Sequence, residues 1–223
     1  VGAITDRTRA LRGTLRIAGG MTVCLYVLPP LLKHMKRVHP QLDIRLTVAT
    51  AARSVEEIRA GRVDAGLLTL PIDESDLITV PVLREELLLV TPPNHPLARK
   101  RRIVAPDLAG EPFVLFEAGS ATRRVIDSFF VTERIEPTIV MDTENVEIIK
   151  AMVKTGLGIA IVPYQAIARE VRAKQFFCAR IEGHELVRET GWVYARADRV
   201  PRIISVLLTA FEENKGRLQL APS

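Results

Sequence analysis

Cysteine is scarce, with only Cys24 and Cys178 among 223 residues. Two thiols so far apart form neither a metal-ligand spacing nor a disulfide framework, so a reduced, cytoplasmic protein is the simplest reading. Long apolar runs are missing as well, and none approaches the ~18 residues of a membrane span. The opening VGAITDRTRALRG is polar and charged. It has no apolar secretory segment and no initiator Met, so the expectation is a chain processed or cut from a longer one. The basic run Arg99-Lys100-Arg101-Arg102 lacks the aromatic or helical context of a nucleic-acid surface and reads as a solvated loop. His34, His39, His95 and His184 have no matched nucleophile or metal partner nearby in sequence, and read as surface residues. Cys24 lies near a helix start but has no paired base, so it reads as a buried structural thiol. No catalytic residue, metal ligand or cofactor is assigned.

What is present is an ordinary globular composition, 48% hydrophobic and 26% charged, in a chain long enough for one large domain or two small ones. The net charge of +5 favours anionic partners only mildly. The stretch Thr143 to Pro163, TENVEIIKAMVKTGLGIAIVP, organises the rest. Val146, Ile149, Met152 and Val153 recur at helical spacing, with Thr143 placed to cap the helix and Gly156 to close it. Ile159 to Val162 is a short buried strand that Pro163 stops. This is one unit of an α/β protein with a parallel sheet, and such sheets bind ligands at the carboxyl ends of their strands.

Similar units precede it. Leu15–Ala18 reads as a strand with a Gly19-Gly20 turn. The helix that follows carries Leu25, Leu28, Leu32 and Met35 on one face, with Pro29 and Pro30 near its first turn. Leu42–Val48 alternates as a second strand, and Ser54 with Glu57 reads as a capping box for a short helix ending at Gly61. Val63–Leu70 is a third strand, which completes a β-α-β-α-β series of parallel strands. Ile78–Leu83 and Leu87–Thr91 are two further apolar runs, broken by Pro92-Pro93-Asn94-His95-Pro96. A second series follows: strand Phe113–Phe116, helix Thr122–Val131, strand Thr138–Met141, and after Pro163 a helix Tyr164–Arg172 and a strand Phe176–Ile181. Gly183–Glu189 reads as polar loop, Thr190–Tyr194 as a strand, and Pro201 opens a last helix with Ile204, Leu207, Leu208 and Phe211 inward. The tail after Gly216 reads as frayed. The expected architecture is two similar α/β lobes, joined near 91–96 and 188–196 and hinged around a cleft. Hydroxyls gather at the strand ends: Thr22, Thr50 and Thr69 in the first series, Ser120 and Thr143 in the second. Ser120 with the N–H groups of Ala121 and Thr122 forms a helix start that favours an anion.

In order along the chain, GTLRIAGG (13–20), LPPLLKHMKRVHPQLDIRL (28–46), IRAGRVDAGLL (58–68), EELLLVTPPNHPLA (85–98), FVLFEAGSATRRVID (113–127) and VKTGLGIAIVP (153–163) resemble the effector-binding domain of LysR-type transcriptional regulators. The resemblance covers roughly residues 13–215. It implies a type 2 periplasmic-binding-protein-like α/β fold of two Rossmann-like lobes with a ligand cleft between them. Lobe I would be 13–91 plus 190–223, and lobe II 92–189. It implies a small polar or anionic effector, no membrane, a homodimer or homotetramer, and DNA binding only through a winged helix-turn-helix that is not in this chain. Residues 1–12 would be the end of its linker helix. The family's effector contacts, carried over by position, give Thr22, Val23, Thr50, Thr69, Ser120, Ala121 and Thr143. Ala51 stands where relatives often place a hydroxyl, and Thr69 where some place an arginine, so Arg53 and Arg123 are the remaining rim cations. A solute-binding protein of a transporter shares the fold and is the competing reading; its gene would carry a signal peptide upstream of Val1. An enzyme on the same fold is the third, and it lacks a catalytic candidate.

Overall fold

In the computed structural model, residues 10–218 and 220 are described, and they divide into two compact units. The expected linker-helix end lies largely outside the described residues, and Ala10–Arg12 are not helical. The first unit holds the chain up to Leu68, Ile72–Val82 and Gly191–Leu218; the second holds Thr69–Pro71 and Leu83–Thr190. The chain passes between the units at Leu68/Thr69, Pro71/Ile72, Val82/Leu83 and Thr190/Gly191. The two apolar runs after residue 77 are one strand, Leu77–Thr91, which runs on through Arg84, Glu85 and Glu86.

In the first unit, β1 (Gly13–Gly19) lies between β2 (Leu42–Val48) and β3 (Ala65–Thr69), parallel to both. Beyond β3 the sheet order continues through β9 (Val187–Ala195) to β4 (Leu77–Thr91). Leu15, Ile17, Ala65 and Leu67 are fully buried on one face, while on the other Ala18 and Leu68 are buried and Arg16 is exposed. β2 is an edge strand whose Leu46 and Val48 are 40% and 50% exposed, so its alternating apolar face is only partly covered. The expected long helix is two: α1 (Met21–Tyr26) and α2 (Leu28–Val38). Pro29 and Pro30 fit the first turn of α2 only if the helix starts anew there. Leu31 and Met35 are buried while Leu25 is exposed, a rotation of the apolar face caused by that break. α3 (Ala51–Arg59) begins earlier than the Ser54 capping box would place it, because Thr50 caps it and Ser54 is fully buried inside. α7 (Arg202–Asn214) packs on α2, and Trp192 of β9 meets Phe211 edge-on at 5.6 Å.

In the second unit, β5 (Pro112–Phe116) pairs in parallel with β6 (Thr138–Thr143), flanked by α4 (Ala121–Glu133) and α5 (Val146–Thr155). Asn145, not Thr143, caps α5: its Oδ1 accepts the Glu147 N–H at 2.9 Å. Thr143 instead ends β6. Gly156 closes α5 at φ 81°, as its position predicts. β7 (Ala160–Pro163) is not simply parallel. Ile159 bridges Phe113 in parallel, while Leu87–Val90 of β4 pair with Ala160–Pro163 antiparallel. β7 leads into α6 (Tyr164–Arg172), and β8 (Phe177–Ala179) joins the same stretch of β4. Val187–Glu189, expected as loop, belong to β9. Lys215–Arg217 form a 3-10 turn, and the Leu220 carbonyl accepts the Glu86 N–H at 3.0 Å; the rest of the tail expected to fray lies outside the described residues.

Candidate ligand site

Each unit presents hydroxyls and helix starts at the carboxyl ends of its parallel strands. In the first unit, Thr22 and Val23 follow β1 on the first turn of α1, which opens at Gly20 without a side-chain cap. Val23 is 3% exposed and sits in the core, so its backbone N–H is the group it has to offer. Gly19 keeps this corner close-packed: a Cβ would stand 3.2 Å from the Leu67 carbonyl oxygen and 3.3 Å from Cys24 Sγ. Cys24 is buried, and desolvation pushes its thiol up to about 11, which makes it a structural thiol and not a nucleophile. Thr50, after β2, spends its hydroxyl on the Arg53 N–H at 3.3 Å. Arg53 itself is taken by Glu56 at 3.1 Å and Glu57 at 2.6 Å. Thr69 is the last residue of β3 and is half-buried.

In the second unit, register places Phe116 of β5 opposite Thr143 of β6, and the Glu117 N–H donates to the Thr143 carbonyl at 3.2 Å. The turn returns through Ser120, whose N–H donates to the Glu117 carbonyl, and whose Oγ caps α4 by accepting the Arg123 N–H at 3.1 Å. Ser120, Ala121 and Thr143 thus share one end of β5 and β6. Arg123 is not a rim cation. It is buried, with Nη1 donating to the Phe116 carbonyl at 2.8 Å and Nε on Asp127 at 2.7 Å. Beside this edge the Glu117 carboxyl is raised by its side-chain interaction with Glu144 and by the like charges of Glu144 and Asp142.

Sequence reasoning missed a buried polar cluster under the start of α4. Glu85 of β4 accepts from Arg188 Nε at 2.9 Å and Nη2 at 3.1 Å, from Thr190 Oγ1 at 2.7 Å, and from Gln165 Nε2. Arg188 Nη1 donates to Thr122 Oγ1 at 2.8 Å, one residue beyond Ala121. The only hint in sequence was charge inside an apolar strand at Glu85. His39 also departs from expectation: it is buried, its Nδ1 accepts the Leu11 N–H at 3.2 Å, and desolvation followed by Arg202 and His34 lowers its pKa. Among the described residues, no group of three or more His, Cys, Asp or Glu is placed to hold a metal ion.

Two parallel-stranded α/β units with hydroxyl-bearing strand ends define a small-molecule binding domain. The chain belongs to the LysR substrate-binding domain family, whose pattern matches residues 8–215. It is 24% identical over 204 residues to the HTH-type transcriptional regulator CysL of Bacillus subtilis, covering 92% of this chain and 68% of that protein. It is 31% identical over 192 residues to a probable RuBisCO transcriptional regulator of Cyanophora paradoxa, covering 83% of this chain and 59% of that protein. The effector-binding domain of QuiR in complex with shikimate superposes with a TM-score of 0.81 at 19% identity, over 94% of this chain and 100% of that one. The fold is accordingly the type 2 periplasmic-binding-protein-like fold.

Proposed function

We propose that this chain senses a small polar metabolite for a LysR-type transcriptional regulator. The family match over residues 8–215 carries this reading. Support comes from the placement of Thr22 and Thr50 at strand ends in one unit, and of Ser120 and Thr143 at one edge in the other. The ligand contacts are Thr22, the Val23 N–H, Thr50, Thr69, Ser120, Ala121 and Thr143. With Arg123 buried on the Phe116 carbonyl and Asp127, recognition rests mainly on hydroxyls and free amides, and a singly charged hydroxylated carboxylate fits better than a polyanion. That the solved relative QuiR holds shikimate is consistent with this class. No catalytic step is assigned to these residues. The protein works in the cytoplasm as a homodimer or homotetramer, and DNA is bound by a segment outside this chain. Ligand binding changes regulation only through its difference in affinity between conformations. The transporter reading is less favoured, because the curated relatives are transcriptional regulators.

A thermal-shift screen of small carboxylates, aromatic acids and amino acids identifies the ligand, and calorimetry on Thr22→Val and Ser120→Ala then tests the contacts. Each loss of a buried hydroxyl bond is expected to weaken binding by about 1–2 kcal/mol. Unchanged affinity in both variants removes the assignment.

A further inference from the structure

The second unit carries a recess of about 450 Å³ whose charge pattern the strand-end hydroxyls do not use. Four cations line it, Lys100, Arg101, Arg102 and Arg180, against a single lining carboxylate, Glu182. They come from two segments far apart in sequence, and the backbone fixes them together. Ile103 bridges Ile181 in parallel, and the Glu182 N–H donates to the Ile103 carbonyl at 2.7 Å. Lys100 is held by Asp107 at 2.5 Å, Arg102 by Glu182 at 2.9 Å, and Arg180 by both oxygens of Glu86 at 2.5 and 2.9 Å. Arg101 has no hydrogen bond or ion pair among the described residues. The cations therefore outnumber the local carboxylates by one, and the surplus is an exposed arginine fork. The basic run expected as a plain solvated loop is exposed, but it is also one wall of a concavity. Ile103, Phe177 and Ala179 supply the apolar part of the lining.

We propose that this recess is a second ligand site, for a small molecule that joins a flat ring to a diphosphate group, of the nucleoside diphosphate kind. Its volume falls in the range of small-molecule sites, roughly 300–1,000 Å³. Arginine forks take phosphoryl oxygens two at a time, and lysine adds a point charge. Exposed ion pairs such as Arg102–Glu182 are weak and yield to a ligand at small cost. Phe177, half-buried, offers the ring an apolar contact beside the charges. The loop is already pinned by the Ile103–Ile181 bridge, so little ordering is required on binding.

Calorimetry of the whole chain at low ionic strength, with ADP, pyrophosphate and adenosine as probes, tests this. ADP is expected to bind saturably, one per chain, more tightly than either fragment, and to weaken as salt is added. Arg101→Glu is expected to weaken ADP binding by about tenfold or more, equivalent to one lost charge-assisted contact. Arg99→Glu, the same charge change on a residue outside the lining, weakens it far less, and circular dichroism confirms that both variants fold. Phe177→Leu reduces the advantage of ADP over pyrophosphate. No saturable ADP binding, equal effects of the two charge reversals, or preferential capture of a DNA duplex by the same residues would overturn the proposal. None of these outcomes touches the strand-end hydroxyls, whose ligand is measured separately.

Discussion

Arg188 and Glu85 are 103 positions apart in the chain, yet their side chains pair at 4% and 0% exposure. A buried carboxylate is tolerable only when its lone pairs are met, and here Arg188, Thr190 and Gln165 meet them. Removing the arginine alone strands the charge. Arg188→Met is expected to lose about 3–5 kcal/mol of stability in urea unfolding, and Arg188→Met with Glu85→Met to recover much of it. A single-variant loss within the ~0.5 kcal/mol of an ordinary surface change would show that the pair does not hold this unit together. The same scale explains which hydroxyls and cations were misjudged from sequence. Thr50, Ser120 and Asn145 are recognisable as helix-start residues, but Arg123 looked like a rim cation because nothing local says that it turns inward to the Phe116 carbonyl. His39 looked exposed because its partner, the Leu11 N–H, lies 28 positions away.

Among elements, the αβ segment from Val146 to Pro163 was readable because its signals are short-range: a periodic apolar face, a glycine at its end and a compact apolar run. Its pairing was not readable. A run of four buried residues looks the same whether its neighbour is parallel or antiparallel; here Ile159 makes a parallel bridge and β7 itself pairs antiparallel. Gly158 shows how tightly these strands meet. A Cβ there would lie 2.6 Å from the Pro112 carbonyl oxygen, which also accepts the Ile159 N–H at 2.8 Å. Gly158→Ala must therefore move backbone, at about 3 kcal/mol on the scale of overpacked cores. Gly156→Ala meets open space and costs only the left-handed conformation, about 1–2 kcal/mol. Thermal denaturation of both variants should rank Gly158→Ala as the more damaging, and the reverse order would contradict the tight approach of β5 and β7. The break between α1 and α2 was written in Pro29 and Pro30, although one continuous periodicity also accommodates them.

At the scale of the molecule, the parallel strands of each unit carry hydroxyls at their carboxyl ends, and β2 is left as an edge with Leu46 and Val48 40% and 50% exposed. An apolar edge strand is a ready surface for a second chain. Sedimentation is expected to show self-association at tens of micromolar, and Leu46→Lys to shift it toward monomer, since a charge on an edge strand opposes pairing. Monomer alone at high concentration, or an unchanged distribution in Leu46→Lys, would count against an assembly through this edge.

The α/β class, the run of β-α-β units, the closing glycine of α5 and the kinship with LysR effector domains could all be read along the chain. Each depends on residues within a few positions of one another, or on an ordered series of such short segments. Tertiary structure alone decided that Glu85 and Arg188 are partners, that Arg123 is spent inside, that Leu77–Thr91 is one strand, and that the run 100–102 walls a recess with Arg180. Those outcomes depend on distant segments meeting, and which polar group is left free is settled only after the backbone has chosen its neighbours.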